Sequence, residues 1–294
     1  MFQSSIKTYF PLTCSRLSLA ACVFILSAFS PVVSATSVAN DARPVVICYE
    51  NLDYVPFMMG EEEVPDYKPG VLIDLIRTAA PDQPFDFQRK PWKRCIKLLK
   101  DGKMDGMFAT IWLKERDQWG QFPPATKQFG VPAEQRYRLW HVQYQIFINR
   151  ASLLKWDGHQ FSGFRGIGLS APPGYVAKIK LEELGVLASG SYTASEGFKL
   201  VALDRLEGYV VEKLIGLQTI YRIPTELRNR ISYIKEPLFN ADWHLVFSHQ
   251  FMSDHAEIAQ GVWDGLADVP MEERQAIFQR YSDLYSLDVD REIQ

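Results

Sequence analysis

The chain has 294 residues, of which 47% are hydrophobic and 23% are charged. This is a globular composition, and the length suits one large domain or two modest ones. The 32 basic and 35 acidic residues nearly balance and form no basic stripe, which argues against binding to nucleic acid or to anionic lipid.

The first 35 residues are predicted to be a cleavable secretory signal. A basic lead-in and an apolar run over 17–33 are followed by small residues that place the cleavage before Thr36. Two alternatives stay open, an uncleaved N-terminal anchor and a lipoprotein cleavage box in "LAAC" at 19–22. Removal of the signal leaves 30 basic and 35 acidic residues, a net charge of −5. We therefore expect a soluble, mildly acidic, exported chain.

The first half of the exported chain alternates strands and helices. An apolar, β-branched run predicts a buried strand at "PVVICYE" (44–50), and further strands are predicted at "FDFQRK" (85–90) and "MDGMFATIW" (104–112). Apolar residues at helical spacing predict helices at "VLIDLIRTAA" (71–80) and "WKRCIKLLKDG" (92–102). This alternation predicts a parallel sheet with helical crossovers.

The pattern then repeats in the second half. Strands are predicted at "YQIFINR" (144–150), "GIGLSA" (166–171), "YVVEK" (209–213) and "DWHLVFSH" (242–249). Helices are predicted at "GYVAKIKLEELG" (174–185), at "SEGFKLVALDRLEG" (195–208) with Ser195 as its cap, and in a final region over 258–281.

The predicted elements form two α/β units of roughly 100 to 130 residues each, a usual domain size. No long Gly/Ser linker separates the units, so connecting strands are expected to join them. The default ligand site of such a fold is a cleft at the carboxyl ends of the parallel strands.

Two cysteines remain after the signal. Cys48 falls late in the first strand, and Cys95 falls in the first turn of the helix after the second strand. Neighbouring parallel strands bring these points close, and an exported chain permits a disulfide, but two buried free thiols fit the pattern as well. Two cysteines without paired histidines do not predict a zinc site, and we expect no cofactor.

From Pro44 onward the sequence resembles the type II periplasmic solute-binding proteins. Within them it is similar, as a divergent member, to the polar-amino-acid branch, the bacterial extracellular solute-binding family 3. The resemblance rests on the order and spacing of five segments: "DYVPF" (53–57), "PGVLIDLI" (69–76), "PWKRCIKLLKDGKMDGMFA" (91–109), "TIWLKER" (110–116) and "LDRLEGYVVE" (203–212).

The resemblance implies two lobes, each a mostly parallel sheet flanked by helices, joined by crossover strands near 139–144 and 243–248. Lobe 1 would comprise residues 36–142 and 248–294, and lobe 2 would be inserted as residues 143–247. Such a protein is expected to be periplasmic and monomeric. It would deliver its solute to an ABC permease of the inner membrane or serve a sensor kinase there.

The resemblance also implies roles for several side chains. Arg116 matches the arginine that holds the ligand carboxylate, a task suited to a planar guanidinium; the alternative is a surface arginine paired with Glu115 or Asp117. Tyr54 and Trp92 match aromatic residues that sandwich the ligand, although Trp92 also fits a core position on its helix.

Further positions complete the predicted site. Glu50 and Glu212 would receive the cationic end of a ligand from opposite lobes. Thr110 is the single hydroxyl beside Arg116, and the main chain of Gly174 can bind an anion, with Tyr175 next to it.

The usual hydroxyls of the family are missing at Ala109, Ile111 and Val176. Either the ligand differs from an α-amino acid, or binding has been lost or taken over by other residues. We expect a non-catalytic protein for a small polar or zwitterionic, amino-acid-like solute. The two rivals are a small-molecule lyase or dehydratase on the same fold and a sensing module with a degenerate cleft.

Overall fold

The computed structural model describes residues 43–59, 68–124 and 133–282. The predicted secretory signal lies outside these residues. Within the described ranges, no helix combines the length and the apolar character that crossing a membrane requires.

The alternation predicted for the first half is confirmed. The elements in chain order are β1 (Val45–Glu50), α1 (Val71–Ala79), β2 (Phe85–Lys90), α2 (Trp92–Lys100) and β3 (Gly106–Ile111). A short 3-10 helix, Lys114–Gln118, follows β3 directly. β1 pairs in parallel with both β2 and β3, as expected of strands joined by helices.

The second half contains more elements than the sequence pattern indicates. After a 3-10 helix at Gln135–Tyr137 come β4 (Trp140–Asn149), β5 (Lys155–Trp156), β6 (Phe161–Ser162), β7 (Leu169–Ser170), α3 (Val176–Glu183), α4 (Ala194–Ala202), β8 (Gly208–Glu212), α5 (Lys213–Tyr221), α6 (Thr225–Arg228), β9 (Ile231–Tyr233), β10 (Phe239–Phe247), α7 (His249–Asp268) and α8 (Met271–Ser282). The final helical region is thus two helices.

The cap predicted for α4 is wrong. Thr193, not Ser195, is the N-cap residue, and its side chain and main chain form a capping box with Glu196. Threonine followed three residues later by glutamate is the usual pattern of this motif. Ser195 lies inside the first turn of the helix.

The main sheet has the strand order β2-β1-β3-β10-β4-β8-β7, and β9 pairs separately with β4. β7 and β8 are parallel, whereas β10 and β4 run antiparallel to their neighbours. The fold is therefore α/β with two lobes, one around β1–β3 and one around β7–β8, connected through β10 and β4.

The two crossover strands each change partner at one residue. Tyr144 of β4 pairs with β10 and also with β8, and Trp243 of β10 pairs with both β4 and β3. We propose that the lobes meet at these two residues. Tyr144 stands next to the boundary predicted at 142/143, whereas Trp243 stands four residues before the one predicted at 247/248, because the end of β10 pairs with β3 of lobe 1.

A disulfide fixes helix α2 against β1. Cys48 and Cys95 are joined with an S–S distance of 2.08 Å and a Cα–Cα distance of 5.5 Å. Both cysteines are fully buried in a cluster that includes Trp92, Leu99 and Met107. The first residue of α2 is Trp92, so this covalent link also positions a predicted site residue.

Candidate functional site

A cavity lies between the two lobes, at the carboxyl ends of β1 and β3. Parallel sheets bind ligands at this edge, where the loops that follow the strands meet. The cavity has an empty volume of about 470 Å³, counting the part that opens to solvent. Two residues of the crossover strands line it, Tyr144 and Trp243. Lobe 2 contributes Gly174, Tyr175, Val176 and Ile215. Lobe 1 contributes the remaining eight: Glu50, Tyr54, Met58, Trp92, Phe108, Ala109, Ile111 and Arg116.

Arg116 reaches the cavity from the 3-10 helix after β3. The residue is only 5% exposed. Its guanidinium donates through Nη1 to the Ile111 carbonyl at 3.1 Å and through Nη2 to the Gly174 carbonyl of lobe 2 at 3.2 Å. The ring of Trp119 stacks beside it at 4.5 Å. Burial lowers the pKa of Arg116 to about 10, so the side chain stays protonated at neutral pH.

Arg116 forms no ion pair with a carboxylate among the described residues. The predicted alternative, a surface arginine paired with Glu115 or Asp117, does not describe this site, because Arg116 is buried and Asp117 instead accepts the indole N–H of Trp112 at 3.0 Å. A buried cation is strongly stabilised by an anion brought next to it. The cavity therefore offers a positive charge to an incoming acidic group.

Glu50 and Tyr54 face Tyr175 across the cavity. The Tyr175 hydroxyl donates to Glu50 Oε2 at 2.6 Å, and the hydroxyls of Tyr175 and Tyr54 lie 2.9 Å apart. Burial raises the pKa of Glu50 to about 7, although the hydrogen bond from Tyr175 opposes that rise. Burial also raises the pKa of both tyrosines, so both keep their protons at neutral pH.

Trp92 closes one side of the cavity next to Gly174. Its ring lies 6.4 Å from the ring of Tyr175, centroid to centroid. The residue is 9% exposed, and its indole Nε1 has no hydrogen-bond acceptor among the described residues. Buried donors are normally paired, so this N–H is available to an acceptor that enters the cavity.

Two predicted site residues do not line the cavity. Glu212 is the N-cap residue of α5, where its carboxylate accepts the main-chain N–H of Ile215 at 2.9 Å. Burial raises the pKa of Glu212 to about 7, while the amides of the helix start oppose the shift. Thr110 is fully buried, and its hydroxyl donates at 3.4 Å to the carbonyl two residues earlier. Its neighbours Ala109 and Ile111 line the cavity in its place.

Sequence reasoning missed much of the apolar and aromatic lining. Tyr144 and Trp243 look like ordinary strand residues, and Trp243 Nε1 donates to the Tyr144 hydroxyl at 3.4 Å. The feature that could have indicated them is their position, because each stands where a crossover strand changes its pairing partner. Ile215 was missed because α5 carries apolar residues on most of its faces and gave no helical pattern.

The described residues contain no cluster of His, Cys, Asp and Glu arranged to hold a metal ion. The cavity has one cation, one carboxyl group, three tyrosine hydroxyls and two indoles among aliphatic and aromatic walls. This mixture suits a small organic molecule that has both a charged group and an apolar body.

Comparison with solved structures supports the fold. A histidine kinase sensor domain with similarity to periplasmic binding proteins is 17% identical to this chain, with a TM-score of 0.61 over 82% of this chain and 96% of that one. A mutant of ArgBP from T. maritima is 11% identical, with a TM-score of 0.60 over 81% and 95%. ArtJ from Geobacillus stearothermophilus, an arginine-, lysine-, histidine-binding protein, is 13% identical, with a TM-score of 0.59 over 81% and 95%.

These structures are similar to the chain nearly over their own full length. No family model matches the sequence, and no curated protein sequence matches it. The two-lobed fold that the sequence resemblance implied is thus confirmed.

Proposed function

We propose that this protein binds a small, carboxylate-bearing, amino-acid-like solute between its lobes in the periplasm. The observation that carries the proposal is Arg116, a buried cation at the cavity wall that forms no ion pair among the described residues. A solute carboxylate would replace main-chain carbonyls as its acceptor, and hydrogen bonds between two charged groups are about twice as strong as neutral ones.

The polar or cationic end of the solute is proposed to meet Glu50. Glu50 lines the cavity and already accepts a hydrogen bond there, whereas the carboxylate of Glu212 is engaged by the start of α5. Tyr54 and Trp92 would hold the body of the solute between their rings. Closure would follow from a solute that contacts both lobes, since binding then favours the closed arrangement.

The proposed partner is an ABC permease or a sensor kinase in the inner membrane. Similar folds in an amino-acid-binding protein and in a histidine kinase sensor domain support both destinations. A solute should stabilise the protein against heat whichever of these two partners it serves. The first experiment therefore tests binding alone.

A thermal-shift screen of amino acids, polyamines, small peptides and organic acids tests the proposal. A solute at 100 times its Kd should add about 2.7 kcal/mol to the free energy of unfolding. Arg116→Lys keeps the charge but loses the bidentate hydrogen bonding of the guanidinium, so the thermal shift caused by the solute should be reduced. Arg94→Ala, on the exposed face of α2, is the matched control. Equal shifts in Arg116→Lys, Arg116→Ala and the wild type would contradict the site.

One observation favours an enzyme as the second candidate. The pKa of Glu50 is raised to about 7, which is the range of a general acid or base at neutral pH. A lyase or dehydratase would convert a stabilising solute to product, and Glu50→Gln would stop that conversion. Recovery of the unchanged solute after prolonged incubation with the wild type would favour binding.

A further inference from the structure

The turn between β7 and α3 places two neighbouring residues of lobe 2 in the cavity. Gly174 has a φ of +86°, a conformation that glycine adopts without strain. The main-chain N–H of Tyr175 donates to the Pro172 carbonyl at 3.2 Å and closes the turn. This geometry directs the Gly174 carbonyl and the Tyr175 side chain toward lobe 1.

Gly174 and Tyr175 contact all four lobe 1 residues of the proposed site. The Gly174 carbonyl accepts from Arg116 at 3.2 Å. The Tyr175 hydroxyl donates to Glu50 at 2.6 Å and lies 2.9 Å from the hydroxyl of Tyr54. The Tyr175 ring packs beside Trp92. One dipeptide thus supplies an acceptor for the cation, a donor for the carboxyl group and an aromatic body between them.

We propose that Gly174 and Tyr175 are a tethered occupant of the solute site, and that the solute which displaces them is a hydroxyaryl carboxylate. The inference rests on the proposed function and narrows its ligand class. A carboxylate would take the place of the Gly174 carbonyl, and a phenolic hydroxyl would take the place of the Tyr175 hydroxyl on Glu50.

A free carboxylate has two advantages over the tethered carbonyl. It neutralises Arg116, which a neutral carbonyl does not. It also has a second oxygen that could accept from the unpaired indole N–H of Trp92, whose ring lies beside Gly174: a Cβ built on that glycine would be 3.9 Å from Trp92 Nε1. The tethered dipeptide leaves this buried donor without an acceptor, whereas a bound carboxylate would satisfy it.

Displacement of the Tyr175 ring opposes binding, since its hydrogen bonds to Glu50 and Tyr54 must be broken. Removing the ring should therefore strengthen solute binding. This sign is the opposite of that expected for a residue that merely contacts the solute, whose removal weakens binding.

Calorimetric titration with 4-hydroxyphenylacetate, and with phenylacetate as the probe that lacks the hydroxyl, tests the inference. We expect 4-hydroxyphenylacetate to bind Tyr175→Ala at least about tenfold more tightly than the wild type, and Tyr175→Phe with an intermediate gain. Phenylacetate should bind Tyr175→Ala about tenfold more weakly than 4-hydroxyphenylacetate does, because it leaves Glu50 without a donor. Tyr192→Phe, which removes a lobe 2 hydroxyl bonded to the Ser189 carbonyl, should match the wild type.

The failures of the two proposals are distinguishable. Equal affinity of the wild type, Tyr175→Ala and Tyr175→Phe would overturn the tethered occupant and leave solute binding intact. No affinity for either probe, together with stabilisation by another solute that needs Arg116, would overturn the ligand class alone. No stabilisation by any solute in the thermal-shift screen would overturn the proposed function and this inference with it.

Discussion

The two walls of the cavity differ in the chemistry that they present. The lobe 1 wall carries ionisable and hydrogen-bonding side chains, Glu50, Tyr54, Trp92 and Arg116, on or just after β1, α2 and β3. The lobe 2 wall presents the main chain of Gly174, one tyrosine and aliphatic side chains. The charged and most of the polar groups of the cavity are thus concentrated in lobe 1.

The walls also differ in how they are held. The lobe 1 wall is tied to its sheet by a disulfide between β1 and α2. The lobe 2 wall is a turn whose contacts run across the cavity to Glu50 and Arg116. A pre-organised wall loses less entropy on binding than a mobile one. We therefore expect lobe 1 to fix the solute and lobe 2 to adapt to it.

The largest effect is expected from removing the covalent tie of the lobe 1 wall. Cys48 and Cys95 are 47 residues apart in sequence, and closing a loop of this length restricts the unfolded chain. The double variant Cys48→Ala/Cys95→Ala should lose about 2–4 kcal/mol of unfolding free energy, measured by urea denaturation. Since α2 also carries Trp92, solute binding should weaken as well.

Reductant provides the control for this variant. Dithiothreitol should lower the urea midpoint of the wild type and leave that of the double variant unchanged. If the wild type unfolds at the same urea concentration with and without reductant, the disulfide does not hold the lobe 1 wall, and the contrast between the walls loses its covalent basis.

The next effect concerns the two buried carboxyl groups, Glu50 in the cavity wall of lobe 1 and Glu212 at the start of α5 in lobe 2. Burial raises the folded-state pKa of both Glu50 and Glu212 from 4.5 to about 7. The folded state therefore holds these protons more tightly than the unfolded state. The stability they contribute is fully present below about pH 4.5 and is lost as the pH rises through about 7.

Gln variants separate the two groups. The unfolding free energy of Glu50→Gln relative to the wild type should rise by about 2–3 kcal/mol between pH 5 and pH 8. Glu212→Gln should show a similar trend in stability, because its carbonyl can still cap α5. Only Glu50→Gln should also change the pH dependence of solute binding. If only Glu212→Gln changed solute binding, the carboxyl group that contacts the solute would be Glu212 of lobe 2 and not Glu50 of lobe 1.

The two lobes also differ in how well their secondary structure could be predicted from the sequence. From β1 to β3, every strand and α-helix of lobe 1 followed from periodicity and chain punctuation, since β1 and β3 are largely buried apolar runs and α1 and α2 are amphipathic. The final region of lobe 1 was predicted as one helical stretch and is two helices. In lobe 2, β7 is only two residues long and α5 has no apolar stripe, so local patterns were weak there.

The site residues divide in the same way. The family resemblance assigned Arg116 and Trp92 to the site, and the local pattern located them just after a strand end and at the start of a helix. Glu212 ends a strand in the same manner, yet the start of α5 takes up its carboxylate. The contact of Tyr175 with Glu50 joins residues 125 positions apart, and no local pattern encodes such a pair.

A smaller effect is expected at the turn that carries the lobe 2 wall. Gly174→Ala and Gly185→Ala both place a Cβ at positive φ, +86° and +69°, and each should lose about 1 kcal/mol of stability. A Cβ at Gly174 would also meet Trp92 Cδ1 at 3.6 Å, whereas a Cβ at Gly185 meets nothing within 4 Å. Only Gly174→Ala should therefore alter the quenching of tryptophan fluorescence by a solute.

The smallest effect is expected from the ion pair at the rim of the cleft. Arg222 Nη2 of lobe 2 lies 3.3 Å from Asp53 Oδ2 of lobe 1, and the arginine side chain is 59% exposed. Exposed pairs contribute little and are screened by salt. A double-mutant cycle with Asp53→Asn and Arg222→Gln should give a coupling below about 0.5 kcal/mol that vanishes in 1 M NaCl. A coupling that is several times larger and insensitive to salt would mean that the rim, rather than Tyr175, holds the lobes together.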